Sequence, residues 1–431
     1  MRVLQAPVNI ANQPWLMAQG LRQAGHEVEV WQFREHPFGY PVDRTVDVTP
    51  GPASIIRAFL EAVEQDFDVV HFHYASSLVP QREFLPWFWD LPVWRSLGVT
   101  VVFTFHGSDA RLRSHHVDDD PWSYYRFADV PCDEELIATR LSVIRRYASH
   151  MTVGSVLDLP YVDEGVYVPK IVDTDSIRVG PVADRPRAVI AHAPSRRSTK
   201  GTDIVLAALD TLREEGLPFD VDLIEGVSNA EALERMGRAD IVVEKLLGGD
   251  AGVTSLEAMA LGRVAVARIR DQVREQHPAM PVVSATPETF LEVMRGLLTD
   301  PERRARLGRE GREYVEREHA PAVVGRILEE LYRSPGRPGL PAYPGWTVPP
   351  SEAALENLRI SLEKERAERL RLRRRTRTLR EQVAVARREL DEAQREIATI
   401  RSTPPSPGQW LRWVGRRLKA RLLRLRQRPA A

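Results

Sequence analysis

Three short stretches hold residue types suited to an anion and a sugar. SRRSTKG (Ser195–Gly201) follows an apolar run and sets Arg196 and Lys200 four residues apart, in a loop opening a helix at Thr202. Two cations so placed can clamp a diphosphate, although the GxxxxGK spacing of a P-loop is absent. GGDAGVTSLEAMALGRVAVAR (Gly248–Arg268) has a flexible loop at Gly248, Gly249 and Gly252, then Thr254 or Ser255 as a cap, and Glu257 one turn inside a helix that Gly262 ends. Such a helix start offers free N–H groups and a positive dipole end to a phosphate, and the carboxylate can accept hydrogen bonds from sugar hydroxyls. HGSD (His106–Asp109) closes a third apolar run, where a histidine can donate a hydrogen bond or shuttle a proton. Each stretch also has a plain structural reading: a solvated basic loop, an ordinary strand–loop–helix unit, a structural histidine.

Other chemistries fit less well. His115, His116 and Asp118–Asp120 could form a metal site or a metal–diphosphate clamp, but consecutive residues point in different directions and read as an exposed loop. No GxGxxG follows a strand, against a nicotinamide dehydrogenase, and no GxSxG elbow supports Ser-His-Asp hydrolysis. The single cysteine, Cys132, allows no internal disulfide and suits a reducing compartment, so a cytoplasmic location is expected. The start of the chain lacks a signal-peptide layout, and no apolar run approaches the ~20 residues of a spanning helix.

The elements that must position these stretches alternate. Arg2–Ala6, Glu27–Phe33, Asp68–His73, Thr100–His106 and His150–Ser155 read as strands, with helices at Pro14–Ala24, Ser54–Gln65 and Glu134–Ala148. After a polar stretch at Gly180–Pro186 the pattern restarts with strands at Arg187–Pro194, Val221–Gly226, Ala239–Lys245 and Arg263–Arg268. Helical patterns follow at Pro287–Leu298, Pro301–Arg317 and Ala320–Arg333. This predicts α/β architecture: two tandem Rossmann-like doubly wound domains, 1–178 and 179–333, facing each other across a ligand cleft.

Beyond them the chain changes character. Residues 334–351 form a proline-rich linker. From 352 to 401 a heptad register runs unbroken from Leu355 to Ile400, with eleven of fourteen seam positions apolar. A coiled coil and a homo-oligomer are expected, the alternative being a lone charged helix. Residues 408–428 read as a basic amphipathic helix, with Trp410, Trp413 and a leucine stripe on one face. Zero net charge hides a −12 globule (residues 1–350) and a +12 tail. Trp and Leu beside eight Arg and Lys fit an anionic membrane surface through Trp410–Arg428. Nucleic acid is not expected as a partner, because a leucine stripe gains nothing on phosphates.

Together these pieces resemble the GT-B glycosyltransferases, specifically glycosyltransferase family 4. AHAPSRRSTKGTDIVLAAL is similar to the family's strand–(S/R)xxKG–helix motif, and ADIVVEKLLGGDAGVTSLEAMALGRVAVA to its segment ending in LEAMAxGxPVV. VPKIVDTDSI resembles the family's interdomain linker, and DPERRARLGREGREYVEREH its closing helix. The resemblance implies a retaining, metal-independent hexosyltransferase-type enzyme using a nucleotide-sugar. By position, Arg196 and Lys200 would hold the donor diphosphate and stabilise the leaving nucleotide, the loop Gly249, Asp250, Gly252, Thr254 and Ser255 would line the donor, Glu257 would bind the ribose, and His106 would contact the transferred sugar. Three positions depart from the pattern. Gly249 stands where the family has a glutamate, leaving Asp250 to reach the sugar hydroxyls; Asn9–Gln13 lacks the family's glycine pair; Lys170-Ile171 replaces its Asn-Gly. The resulting expectation is sugar transfer to a cell-surface glycan or lipid-linked acceptor at the cytoplasmic membrane face. The alternative is a degenerate glycosyltransferase fold serving as a nucleotide-sugar-binding or oligomeric scaffold.

Overall fold

The computed structural model describes residues 1–49, 51–79, 87–180 and 186–337, with Ser406 and Gly408. The chain divides into two compact units, Met1–Gly345 and Trp346–Ala431, and every element named below belongs to the first. The heptad segment 352–401, most of the linker 334–351 and the tail helix 408–428 lie outside the described residues, apart from 334–337 and Gly408.

The first lobe is a seven-stranded, wholly parallel sheet of β1 (Arg2–Ala6), β2 (Glu27–Gln32), β3 (Arg44–Thr45), β4 (Val69–His73), β5 (Thr100–Phe105), β6 (His150–Val153) and β7 (Val166–Tyr167), in the order β3-β2-β1-β4-β5-β6-β7. The second lobe is a five-stranded parallel sheet of β8 (Ala188–His192), β9 (Phe219–Leu223), β10 (Ile241–Lys245), β11 (Val264–Ala267) and β12 (Val283–Ser284), ordered β12-β11-β10-β8-β9. Near-continuous apolar runs such as Val69–Phe72 and Val101–Phe103 are what a parallel sheet covered on both faces requires, because neither face meets water. The predicted strands and helices are present, with end shifts of one to three residues at most helix and strand termini.

Strand order reverses between β1 and β4 in one sheet and between β8 and β10 in the other. Loops at such reversals splay apart and open a crevice beyond the strand ends. The residues singled out above lie beyond strand ends, three of the four groups at the reversals: Asn9–Gln13 after β1, Ser195–Lys200 after β8 and Gly248–Gly252 after β10, with His106 after β5.

One helix joins the lobes. Pro321–Arg333 leaves the second lobe and packs on Gln13–Gln23 of the first, burying Val324, Leu328 and Tyr332 against Leu16, Met17 and Leu21. Backbones touch at the crossing: a Cβ on Gly20 would lie 2.1 Å from the Pro321 carbonyl oxygen, and one on Gly325 2.4 Å from Gly20. Only glycine fits either position.

Candidate active site

A cavity of about 760 Å³ opens between the two lobes, within the size range of small-molecule sites. Its walls include His106 and Lys170 from the first lobe, and Arg196, Lys200, Glu244, Gly249, Asp250, Gly252, Thr254 and Glu257 from the second. Ser255 alone among the predicted donor residues is off the wall, fully buried behind it.

The phosphate end forms around β10. Glu244, nearly at the strand's end, is buried, which would force a lone carboxylate to take up a proton. Burial does push its pKa up, but Lys245 at 3.0 Å and Lys200 at 3.2 Å outweigh it and hold the carboxyl well below its usual range. Glu244 also accepts hydrogen bonds from the Gly252 N–H (2.7 Å) and the Ser255 hydroxyl (2.6 Å). This corrects the expected cap of helix Val253–Ala260. Gly252 is the N-cap residue, neither Thr254 nor Ser255 caps it, and the carboxylate comes from the neighbouring strand. Gly252 must be glycine because a Cβ would sit 2.0 Å from Glu244 Oε1.

Lys200 ends the short turn Arg197–Lys200, and Arg196 precedes it with an exposed side chain on the cavity wall. Burial lowers the Lys200 pKa, and Glu244 opposes the shift. Lys170 donates to Asp250 Oδ2 (2.6 Å) and to the Ala251 carbonyl (3.0 Å). Asp250, expected to meet sugar hydroxyls freely, is therefore already tied across the cleft, and the Lys170 that departs from the family pattern is its partner. Four cations, Arg196, Lys200, Lys245 and Lys170, face two ionised carboxylates here, leaving a positive surplus suited to a diphosphate.

Glu257 lies beyond, in the second turn of its helix, and its Oε1 accepts from Asn229 Nδ2 at 2.9 Å. Burial raises its pKa to about 7, against the lowering by Asn229 and with a further push from Glu244. Above it three half-buried rings of the first lobe, His36, Phe38 and Tyr40, pack together and line the cavity, and the Phe38 carbonyl accepts from the Asn229 N–H at 3.2 Å.

The two other departures have structural counterparts. Gly249 has no room for a side chain, since a Cβ would lie 2.4 Å from both Cγ and Cδ of Arg270. Arg270 in turn donates to Asp119 (2.7 Å), and Arg268 pairs with buried Asp120 at 2.7 Å. In the other loop, Ala11 (φ 50°) and Asn12 (φ 60°) adopt the left-handed conformation without glycine. This costs Ala11 about 1–2 kcal/mol of backbone strain and Asn12 less, because an asparagine side chain tolerates that region. Gln13 holds that loop to the interlobe connection, exchanging two hydrogen bonds with the Ile171 backbone (2.8 and 2.9 Å).

The His115–Asp120 stretch is not the expected exposed loop. It forms the helix Arg113–Asp119, with His116 Nδ1 bonded to the Ser123 hydroxyl and its aspartates clasping the other lobe. Among the described residues no group of three or more His, Cys, Asp or Glu is placed to hold a metal ion, and no helix is long and apolar enough to cross a membrane.

Glu244 and Lys245 were not singled out by the sequence reading. The available signal was an acidic residue inside the apolar run IVVEK, where burial demands a partner. The aromatic trio in HPFGY was not singled out either.

No protein-family profile and no curated protein sequence matches the chain. Solved structures do match in fold. A sucrose-phosphate synthase from Thermosynechococcus elongatus superposes with a TM-score of 0.56 at 15% identity, over 77% of this chain and 98% of that one. Anabaena HepE in complex with UDP-glucose gives 0.52 at 11% identity, over 77% and 98%. A glycosyltransferase from Rickettsia africae gives 0.51 at 13% identity, over 77% and 97%. Two wholly parallel sheets facing each other across a cleft, with a last helix returning to the first lobe, give this chain the GT-B fold.

Proposed function

We propose that the chain is a glycosyltransferase that moves a sugar from a nucleotide-sugar donor with retention of configuration and without a metal. The observation that carries this reading is the convergence of Arg196, Lys200, the start of helix Val253–Ala260, Glu257 and His106 on one cavity. Arg196 and Lys200 hold the diphosphate and neutralise charge as the nucleotide departs, Glu257 accepts from the ribose hydroxyls, and His106 meets the sugar. The departing phosphate takes the acceptor's proton on the same face, so no protein nucleophile is needed. The folds it matches include a protein solved with UDP-glucose, which makes uridine nucleotides the first donors to try. Turnover of a panel of UDP-, GDP- and ADP-sugars is the test. Binding and turnover of none of them sinks the proposal.

A scaffold role is the second reading. It is favoured by one feature: Lys200 and Asp250 are both engaged by protein partners. Tight nucleotide binding without turnover would select it.

Glu257 offers a pH signature. Its pKa of about 7 in the free protein means that ligands needing the carboxylate bind more weakly in acid. Donor affinity should rise by up to about tenfold per pH unit below 7 and level off above it. The Glu257→Gln variant should lose that slope in calorimetric titrations. Folding stability runs the other way. With the folded pKa raised, the contribution of Glu257 is full below its unfolded value and is lost as pH rises through about 7.

The acceptor is a cell-surface glycan or lipid-linked sugar met at an anionic membrane surface, with oligomerisation through the heptads. The support is the basic, Trp- and Leu-bearing tail and the seam Leu355–Ile400. Deleting Trp410–Arg428 should release the protein from anionic liposomes in a sedimentation assay while donor hydrolysis continues. Unchanged co-sedimentation would refute the membrane role.

A further inference from the structure

Behind His106 lies a run of buried polar side chains that sugar transfer, as described above, does not use. Tyr332, from the helix returning to the first lobe, places its hydroxyl 2.7 Å from His71 Nδ1 and 3.3 Å from Gln5 Nε2. His71 Nε2 is 2.6 Å from the Thr104 hydroxyl, which is 2.6 Å from that of Thr152, itself 3.3 Å from the Phe103 carbonyl oxygen. On the other branch, Gln5 Oε1 is 2.6 Å from His73 Nε2, and His73 Nδ1 is 3.2 Å from His106 Nε2. The rings of His71 and His73 stack, with centroids 4.6 Å apart.

A neutral imidazole has one donor and one acceptor nitrogen, and a hydroxyl has one hydrogen to give. The three histidines are neutral. Burial brings His71 and His106 down to about 3 and His73 well below its ordinary value, reinforced at His106 by the Lys170 charge and at His71 and His73 by the repulsion that charging adjacent imidazoles would bring. One end of the chain has fixed polarity, because the Phe103 carbonyl can only accept. Thr152 therefore donates to it, Thr104 donates to Thr152, and His71 donates from Nε2 to Thr104. His71 Nδ1 then accepts from Tyr332, which accepts from the Gln5 amide. That orientation turns the Gln5 oxygen to His73, whose Nε2–H donates to it. His73 Nδ1 accepts from the Nε2–H of His106. Each group is used once, and no two hydrogens face each other.

We infer that this buried relay holds His106 as its Nε2–H tautomer. Nδ1 then carries a lone pair, and it selects a donor sugar bearing a hydroxyl that gives a hydrogen there. No group among the described residues bonds Nδ1, and His106 lines the cavity. Tyr332 is a positioning residue, acting from behind the histidines. The choice of sugar rests on the glycosyltransferase reading; the tautomer does not.

A sugar lacking that hydroxyl leaves the lone pair unmatched, and a fluorine or carboxylate there sets acceptor against acceptor. The test has two arms. The full chain labelled with 15N-histidine is examined by long-range proton–nitrogen correlation, with His106→Gln identifying the signals. Expected is a protonated Nε2 and a bare Nδ1 for His106 in the free protein at neutral pH. A protonated Nδ1 overturns the inference with no variant needed. In Tyr332→Phe the Gln5 amide loses the acceptor that orients it and can turn over, so His106 should shift toward the Nδ1–H form. A folded Tyr332→Phe protein with the wild-type pattern removes Tyr332 from the relay.

In the second arm, monodeoxy and monofluoro analogues of the accepted donor are compared. At one ring position both should lose about 10²-fold or more in kcat/KM. Even losses at every position, or none, overturn the selection. No turnover of any parent donor, with the tautomer as expected, instead defeats the glycosyltransferase reading and the sugar selection with it.

Discussion

Replacing Lys200 with alanine is expected to cut donor turnover by about 10²–10³-fold, the usual loss when one group stabilising developing charge is removed from a closed site. The fold should survive. Glu244 would keep Lys245 at 3.0 Å, the Gly252 N–H and the Ser255 hydroxyl, so no buried charge is stranded. On the proposed function the lysine would meet the diphosphate most strongly as the leaving nucleotide gains charge, so the loss should fall mainly on kcat. Arg196 is exposed, and its replacement by alanine should raise KM more than it lowers kcat. Initial rates on the best donor, with calorimetric binding of the free nucleotide, measure both. A Lys200→Ala enzyme within about threefold of wild type would place the chemistry elsewhere.

Removing the partner carboxylate should have the opposite profile. Glu244→Ala leaves two partly buried lysine ammonium groups without their counter-charge and uncaps the donor-site helix. Breaking a fully buried pair from one side costs about 3–5 kcal/mol, and the partial exposure of both lysines puts the loss here at or below the lower end of that range. Urea denaturation at pH 7 reads it directly. Glu244→Gln should cost less, because an amide oxygen can still accept from Gly252 and Ser255. The pH dependence follows from sign. The folded pKa of Glu244 lies below its unfolded value, so its stabilisation is present above the unfolded value and is lost as pH falls through the folded one. The gap between wild type and Glu244→Ala should therefore hold at neutral pH and close only in strong acid. An alanine variant as stable as wild type at pH 7 would show that the two lysines find water or each other at no cost.

Lys200 and Glu244 bound what the cleft can do. The internal carboxylate holds the lysine in place before any donor arrives and occupies the Gly252 N–H that a bare helix start would offer. On the proposed function a diphosphate would be left with Arg196, the remaining Lys200 hydrogens and the N–H groups inside the helix. Preorganisation of this kind limits the reorganisation needed when charge develops.

Local regularities carried the architecture. Alternating apolar runs and amphipathic stretches are decided residue by residue, by burial on both faces of a parallel sheet or on one face of a helix, so two doubly wound lobes were legible in the chain. The candidate residues were legible for a related reason. Arg196, Lys200 and His106 follow strand ends and Glu257 lies in the helix after one, and both strand ends and helix starts can be read from the chain. What the chain order concealed depends on contacts between residues far apart. The Lys170–Asp250 pair joins residues 80 positions apart, and Tyr332 meets His71 across 261. Gly249 read as a missing carboxylate until Arg270 was seen filling its space. The helix cap read as Thr254 or Ser255 because only neighbours in sequence were in view, whereas the cap is Glu244 from the adjacent strand. Periodicity and strand ends, then, were determined by the sequence alone. Which charges are paired, which backbone donors are taken and which histidine nitrogen is bare were decided by the tertiary structure, because pairing energies depend on distance in space and on burial, and neither is written along the chain.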